Sequence, residues 1–386
     1  MSYLFTEEQK MIRDLARRIA DEKIRPVAAE YDEKEEFPWP ILKVIAESDL
    51  SGIYIEEKYG GMGGGVTELC IATEEFSKAC GGIAVSYAAS ALGSYPIILY
   101  GTDEQKKKYL PDIASGKKLA AFGLTEAGAG SDAGAVSTTA RKEGNYYVLN
   151  GVKQWITNGG EAQTYTVVAM TDKTKGSRGA SAFIVEKGTP GFEFGKKEKK
   201  LGIRSSATRE LIFTNCRIPK ENLLGREGMG FIVAMKTFDK SRPGIGAQAV
   251  GIAQGALDHA LKYAKERVQF GKPISSFQGI QFMLADMGTK IEAARALVYY
   301  AAGLIDSGAK EISKFSAMAK LYASDVAMDV TTNAVQIFGG YGYMRDYPVE
   351  KYMRDAKITQ IYEGTNQIQR GIIASELVKE ILKKAD

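Results

Sequence analysis

A lone carboxylate near the C-terminus lies in a setting suited to proton transfer, Ile361-Tyr362-Glu363-Gly364-Thr365-Asn366-Gln367-Ile368-Gln369-Arg370. An aromatic ring precedes it, a glycine follows it, and hydroxyl and amide side chains come next. Taking a carboxylate out of water raises its pKa and makes it a stronger base, provided it still reaches the proton it must remove. Gly364 admits left-handed backbone angles and lets a ligand come close to the main chain. The same residues also read as a helix start, with Thr365 or Asn366 as N-cap and Glu363 solvated. By itself the segment leaves both readings open.

Two other stretches carry residue types that bind rather than react. Ala121-Phe122-Gly123-Leu124-Thr125-Glu126-Ala127-Gly128-Ala129-Gly130-Ser131-Asp132-Ala133-Gly134 is dense in glycine, which exposes main-chain N–H groups, and Ser131 adds a hydroxyl donor for a phosphate oxygen. No Gly-Lys-Ser/Thr follows, and no βαβ unit surrounds it, so it is neither a Walker loop nor a dinucleotide fingerprint. A plain flexible loop is the other reading. In Gln154-Trp155-Ile156-Thr157-Asn158-Gly159, strand alternation puts Thr157 on the face of Trp155. An indole beside a hydroxyl suits a planar ring whose heteroatom accepts a hydrogen bond. Core packing of Trp155 is the alternative.

Composition removes several chemistries. The one histidine, His259, lies in a helix-like stretch, which rules out a histidine metal cluster within the chain, and no nucleophile elbow accompanies it. Cys70, Cys80 and Cys216 are scattered without CxxC spacing, as expected of small buried side chains in a reducing compartment. A formal charge of +4 spread among acids asks for neither nucleic acid nor an anionic membrane. Met1 leads into Phe5-Thr6-Glu7-Glu8-Gln9, which reads as a helix capped by Thr6 rather than a targeting signal. With no apolar run read as long enough to span a bilayer, a cytoplasmic or matured organellar protein is expected.

The elements that must hold these groups fall into three blocks, an α+β organisation. Residues 1–118 read as helical, with Met11, Ile12, Leu15, Ile19 and Ile24 at helical spacing and a break at Phe37-Pro38-Trp39-Pro40. Residues 119–228 carry β-rich runs around Tyr146–Lys153, Tyr165–Met170, Ala182–Val185 and Glu210–Phe213, which predict a compact antiparallel β domain with a hairpin turn at Asn150-Gly151. Residues 229–386 return to long helices at about 231–267, 278–306, 312–338 and 365–383, a four-helix bundle joined by broken pieces at 269–277 and 339–348.

Five ordered motifs match one family: Leu124-Thr125-Glu126 through Gly130-Ser131-Asp132, Trp155-Ile156-Thr157-Asn158, Arg267-Val268-Gln269-Phe270-Gly271, Gln336-Ile337-Phe338-Gly339-Gly340 and Tyr362-Glu363-Gly364-Thr365. Over its whole length the chain resembles the acyl-CoA dehydrogenases, with a short- or medium-chain, butyryl-CoA dehydrogenase-like character. The resemblance implies a helical N-terminal domain, a middle β-barrel and a C-terminal four-helix bundle binding FAD without a dinucleotide fold. It implies flavin contacts from Phe122, Leu124, Thr125, Gly130, Ser131, Trp155, Ile156, Thr157, Thr365 and Gln367. Arg267, Phe270, Gln278, Gln336, Gly339 and Gly340 would hold the pyrophosphate and adenosine across a subunit interface, so at least a dimer, and by family habit a homotetramer (a dimer of dimers), is implied.

On this resemblance Glu363 takes the α-proton of an acyl-CoA while a hydride leaves the β-carbon for the flavin, and electrons pass to an electron-transfer flavoprotein in fatty acid β-oxidation. Phe238-Asp239-Lys240-Ser241-Arg242-Pro243 resembles the CoA-side segment, with Asp239 and Arg242 as implied ligand contacts and a charged helix end as the other reading; Ser131 and Gly364 are the further substrate contacts implied. Ser241 stands where some branches carry their base, which leaves Glu363 as the candidate, and Ile83 stands near the arginine of glutaryl-type enzymes, which disfavours a dicarboxylate. Ala127 replaces a common proline. The Ala84–Ser94 stretch is expected to shape the acyl pocket, where Tyr87 would shorten it and the small residues around it would deepen it; short, butyryl-like substrates are expected. A flavin-dependent acyl-CoA oxidase or monooxygenase on the same fold is the alternative.

Overall fold

The computed structural model describes residues 5–385. Helix α1 (Glu7–Ile19) starts as the sequence predicts: the Gln9 amide donates to Thr6 Oγ1 (3.2 Å) and the Thr6 amide to the Gln9 side chain (3.1 Å), a reciprocal cap. Helices α2 (Ala28–Lys34), α3 (Trp39–Glu47), α4 (Val66–Ala79), α5 (Gly81–Tyr100) and α6 (Asp103–Ala114) complete the N-terminal layer. The Gly60–Gly65 loop ends where Asp306, from the far end of the chain, accepts the Val66 and Thr67 amides (2.7 and 2.8 Å). That carboxylate caps α4 from another domain, and a Cβ at Gly65 would sit 2.3 Å from it.

Helix α5 corrects one expectation. Its 20 residues are long and apolar enough to cross a membrane, yet most of the helix is buried among α4, α7 and β1. A helix apolar all round suits a protein core as well as a bilayer. Gly93 lets its backbone close on β1, since a Cβ there would lie 2.4 Å from the Ala121 nitrogen.

The middle block is one eight-stranded sheet of β1 (Ala120–Gly123), β2 (Thr139–Glu143), β3 (Tyr146–Thr157), β4 (Thr164–Met170), β5 (Ala180–Glu186), β6 (Phe192–Phe194), β7 (Thr208–Pro219) and β8 (Leu223–Leu224). Hydrogen-bonded neighbours run β6-β7-β3-β2-β4-β5-β8, with β1 also on β4. The β1–β4 and β2–β4 pairings are parallel, so the sheet is mixed rather than purely antiparallel. The hairpin turn falls at Gly144-Asn145, because Glu143 pairs with Tyr146 and the ladder continues to Thr139–Asn150. Asn150-Gly151 therefore lies inside β3. There the register against β7 shifts by one residue, and the Asn150 side chain accepts the amide of the extra residue, Asn215 (2.8 Å).

Helices α7 (Gly230–Glu266), α8 (Gln278–Asp306), α9 (Ser313–Phe338) and α11 (Asn366–Ala385) form the long-helix bundle. A fifth helix, α10 (Val349–Thr359), was not anticipated from the sequence and packs on α7 and α9. Pro243 interrupts the ladder of α7 and leaves the Asp239 carbonyl without its helical donor. Ser316 of α9 supplies one at 2.6 Å, so the two longest-packed helices are tied at the proline.

Candidate active site

The three blocks meet around a cavity of about 660 Å³. Val85, Ala88, Leu92 and Tyr95 of α5 form one wall; Phe238, Ser241, Gly244 and Ile245 of α7 form another. The sheet contributes Phe122, Leu124, Thr125, Gly130, Ser131, Trp155, Ile156 and Thr157, and the corner between α10 and α11 contributes Ile361 to Thr365. The cavity is largely apolar, with polar groups gathered at the sheet and at this corner.

The corner is built by two successive left-handed residues, Glu363 (φ +51) and Gly364 (φ +92). Such a backbone is costly for glutamate and is held by its surroundings. Gln369 Nε2 donates to the carbonyls of Glu363 (3.2 Å) and Gly364 (2.9 Å), and Lys320 Nζ donates to the Gly364 carbonyl (2.8 Å) and to Asn366 Oδ1 (2.8 Å). Tyr362 is anchored through its hydroxyl to Gln248, which in turn donates to the Gly81 carbonyl (3.1 Å) at the start of α5.

Glu363 faces the cavity and keeps partial access from that side, with protein packed behind it. Burial pushes its carboxyl up to about 7, against a hydrogen bond from Ser241 Oγ (2.5 Å) and the charges of Arg242 and Lys320. A carboxylate tuned to neutral pH at a cavity wall has the properties of a general base.

On the sheet side, Glu126 accepts from the amides of Ser137 (2.7 Å) and Thr138 (2.9 Å) and from Lys153 Nζ (2.7 Å), which also donates to the Leu124 carbonyl (3.0 Å). Burial alone would raise the Glu126 carboxyl, but the Lys153 charge and these donors outweigh it and hold it at about 2. One buried ion pair thus shapes the whole glycine-rich loop. Next to it, β3 bulges between Lys153 and Ile156, and Trp155 takes a left-handed backbone (φ +57). Trp155 and Thr157 both line the cavity, but because of this bulge rather than by simple strand alternation.

The structure brings Phe122, Leu124, Thr125, Gly130, Ser131, Trp155, Ile156, Thr157, Glu363, Gly364 and Thr365 to the cavity. Thr365 also caps α11, accepting the Ile368 amide (3.3 Å), so the capped-helix and site readings hold together. Gln367 is exposed and outside the lining. Asp239 and Arg242 are buried behind the wall: Asp239 accepts from Ser313 (2.6 Å), and Arg242 lies between Asp239 and the Glu363 carbonyl. Neither residue is among those lining the cavity. Tyr87 also turns away, its hydroxyl donating to the Leu50 carbonyl (2.9 Å), and Ile83 is buried outside the lining. Tyr95, two helical turns on, is the tyrosine that α5 presents to the cavity.

Arg267, Phe270, Gln278, Gln336, Gly339 and Gly340 do not reach this cavity. They gather at one end of the bundle, where Tyr263 stacks on Phe338 and the Arg267 guanidinium lies 5.4 Å from the Tyr341 ring. All but Arg267, which is half-buried, are exposed. Sequence reasoning missed Lys320, Gln369 and the Lys153–Glu126 pair. A signal existed for Lys320, since it follows Ser316 by four residues and precedes Ala323 by three on the small-residue face of α9.

A tuned carboxylate and a sheet-borne indole lining one largely apolar cavity make a site suited to proton abstraction beside a planar ligand. Family models agree: the acyl-CoA dehydrogenase N-terminal domain matches residues 6–117, the middle domain 121–216 and the C-terminal domain 228–378. The chain is 51% identical over 380 residues to the short-chain specific acyl-CoA dehydrogenase of Clostridium acetobutylicum, covering 98% of this chain and 100% of that protein. It is 52% identical over 381 residues to the acryloyl-CoA reductase (NADH) of Anaerotignum propionicum, covering 98% and 96%. The butyryl-CoA dehydrogenase structure from Megasphaera elsdenii superposes with a TM-score of 0.95 at 49% identity, covering 98% and 100%. A chain described under "Electron transferring flavoprotein of Acidaminococcus fermentans: Towards a mechanism of flavin-based electron bifurcation" gives 0.96 at 55%, covering 98% and 99%. An acyl-CoA dehydrogenase complexed with FAD from Bacillus anthracis gives 0.93 at 39%, covering 99% of this chain and 68% of that one. The chain belongs to the acyl-CoA dehydrogenase family, FAD-dependent oxidoreductases acting on CH–CH bonds.

The residues present fit that cofactor. The hydroxyls of Thr125, Ser131 and Thr157 line the cavity with no protein hydrogen bond among the described residues, beside an indole left 56% exposed. A Cβ at Gly128 or Gly130 would meet nothing within 4 Å, which leaves their backbone open to a ligand.

Proposed function

We propose that this protein dehydrogenates a short acyl-CoA to its trans-2-enoyl-CoA, with Glu363 as the base. The observation that carries the reading is the Glu363 carboxyl, raised to about 7 and presented to the cavity from a left-handed corner. The α-hydrogen of a thioester is weakly acidic, so its removal needs a placed base together with donors for the developing enolate oxygen. The amides of Glu363, Gly364 and Thr365 find no protein acceptor among the described residues and are the donors at hand. When bound, FAD accepts the β-hydride and stores the electron pair. Phe122, Leu124, Thr125, Gly130, Ser131, Trp155, Ile156, Thr157 and Thr365 would hold it on this chain.

Arg267, Phe270, Gln278, Gln336, Gly339 and Gly340 would serve the cofactor of a second copy, which makes the working unit at least a dimer and supports a homotetramer. Arginine suits this task, because its fork pairs with phosphate oxygens. The name of the C. acetobutylicum relative supports a short substrate, as does the apolar wall of α5 and α7, to which Tyr95 adds a bulky ring. Electron-transfer flavoprotein is the proposed electron acceptor, on the likeness to the A. fermentans chain. Fatty acid β-oxidation in the cytoplasm is the matching role.

Anaerobic titration of the holoenzyme with acyl-CoAs of graded length tests the reading. Bleaching of the flavin is expected, strongest with butyryl-CoA. If no thioester bleaches it, the dehydrogenase reading falls; bleaching followed by rapid peroxide formation in air would favour the oxidase.

A further inference from the structure

Lys320 is wholly buried on α9, and its ammonium touches no carboxylate among the described residues. Its acceptors are two neutral oxygens, the Gly364 carbonyl and Asn366 Oδ1, each at 2.8 Å. Burying an ammonium against neutral acceptors is unfavourable, so this side chain works against the fold unless a nearby negative charge compensates it. Burial pushes the amine down to about 7 while the charge of Glu363 pulls it back up. The other charged groups facing it are Arg242 on α7, with Asp239 beside it, and Asp325 on α9, which is itself paired with Arg370 of α11.

The carbonyl it grips belongs to the corner of the site. In a trans peptide the C=O and N–H point in opposite directions. Lys320 and Gln369 hold the Gly364 carbonyl inward, while Gln369 and Arg242 (3.4 Å) hold that of Glu363. The partner amides, of Thr365 and Gly364, are thereby turned away from these donors, and both residues line the cavity.

We propose that Lys320 is a positioning residue for the reaction: it clamps the corner from behind so that the Glu363 carboxyl and the adjoining amides face the substrate, and its cation favours the ionised base. The inference rests on Glu363 being that base.

The test compares holoenzyme carrying Lys320→Met and Lys320→Arg with the parent protein, in two arms. In stopped-flow flavin reduction by butyryl-CoA, Lys320→Met should keep its FAD, lose about tenfold in limiting rate with a much smaller change in apparent Kd, and shift its pH midpoint upward by about one unit. Lys320→Arg should restore the midpoint. In the second arm, 13C NMR of the glutamate carboxyls without substrate should show Glu363 titrating about one unit higher in Lys320→Met. An unchanged midpoint in both arms would overturn the proposal, as would a rate loss that merely tracks lost FAD and is not restored by arginine. If Lys320→Met does not fold, Lys320→Gln takes its place with the same expected shift. Failure of the parent protein to be reduced by any thioester counts against the proposed function alone, since the NMR arm still decides for Lys320.

Discussion

Glu363 shows how one residue gains its chemistry from its neighbours. Its carboxyl is raised by burial, and only partly restrained by Ser241, Arg242 and Lys320. The base is the ionised form, so flavin reduction should rise as pH passes through about 7 and level off above it, which a pH series of single-turnover rates would show. Glu363→Gln should retain FAD and lose roughly 10²–10⁴-fold in that rate, the usual worth of a positioned base. The same shift has a cost. Because the folded pKa lies above the unfolded one, the unfolded chain releases its proton first, and stability falls as pH rises from about 4.5 through about 7. Glu363→Gln should therefore raise the melting temperature at pH 8 and leave it nearly unchanged at pH 4, as calorimetry can check. The tyrosine, carboxylate and glycine of this corner were legible in sequence. Its donors were not, since Lys320, Gln369 and Arg242 come from three different helices.

At the scale of elements, the glycine-rich loop and the β3 bulge depend on a lysine inside a strand. Among the described residues, Lys153 is the only counter-charge paired with Glu126. Lys153→Met should leave a buried carboxylate uncompensated and cost about 3–5 kcal/mol in chemical denaturation, with FAD retention falling alongside. Since the Glu126 carboxyl is held at about 2, its contribution is complete above about pH 4.5 and is lost as pH falls toward 2. Helix lengths in the bundle were close to their expected ranges because 3.6-residue periodicity survives over many turns. The hairpin was misplaced at Asn150-Gly151 because that dipeptide also suits a bulge, and only cross-strand pairing distinguishes the two. Helix α10 was hidden because it is only 11 residues long and its buried face mixes Val349, Tyr352 and Ala356 with the charged Lys351 and Asp355.

For the whole molecule, the cofactor-binding motifs divide into two surfaces. One lines the cavity; the other, around Arg267, lies at the end of the bundle and does not reach that cavity. If two copies share each FAD, dilution should release cofactor together with dissociation, and Arg267→Ala should weaken FAD retention without altering the melting of the apoprotein. Ultrafiltration with flavin fluorescence, beside sedimentation of the same samples, would separate these effects. The amino-acid sequence alone determined the helix–sheet–helix order, the ordered family motifs and the candidate base, because composition, periodicity and local residue spacing are properties of the chain itself. Tertiary structure alone decided which of those residues meet. It placed Asp239 and Arg242 behind the wall, put Tyr95 rather than Tyr87 at the cavity, and set Lys320 beneath Glu363. Burial, left-handed strain and charge coupling arise between segments far apart in the chain, and so they exist only once the chain has folded.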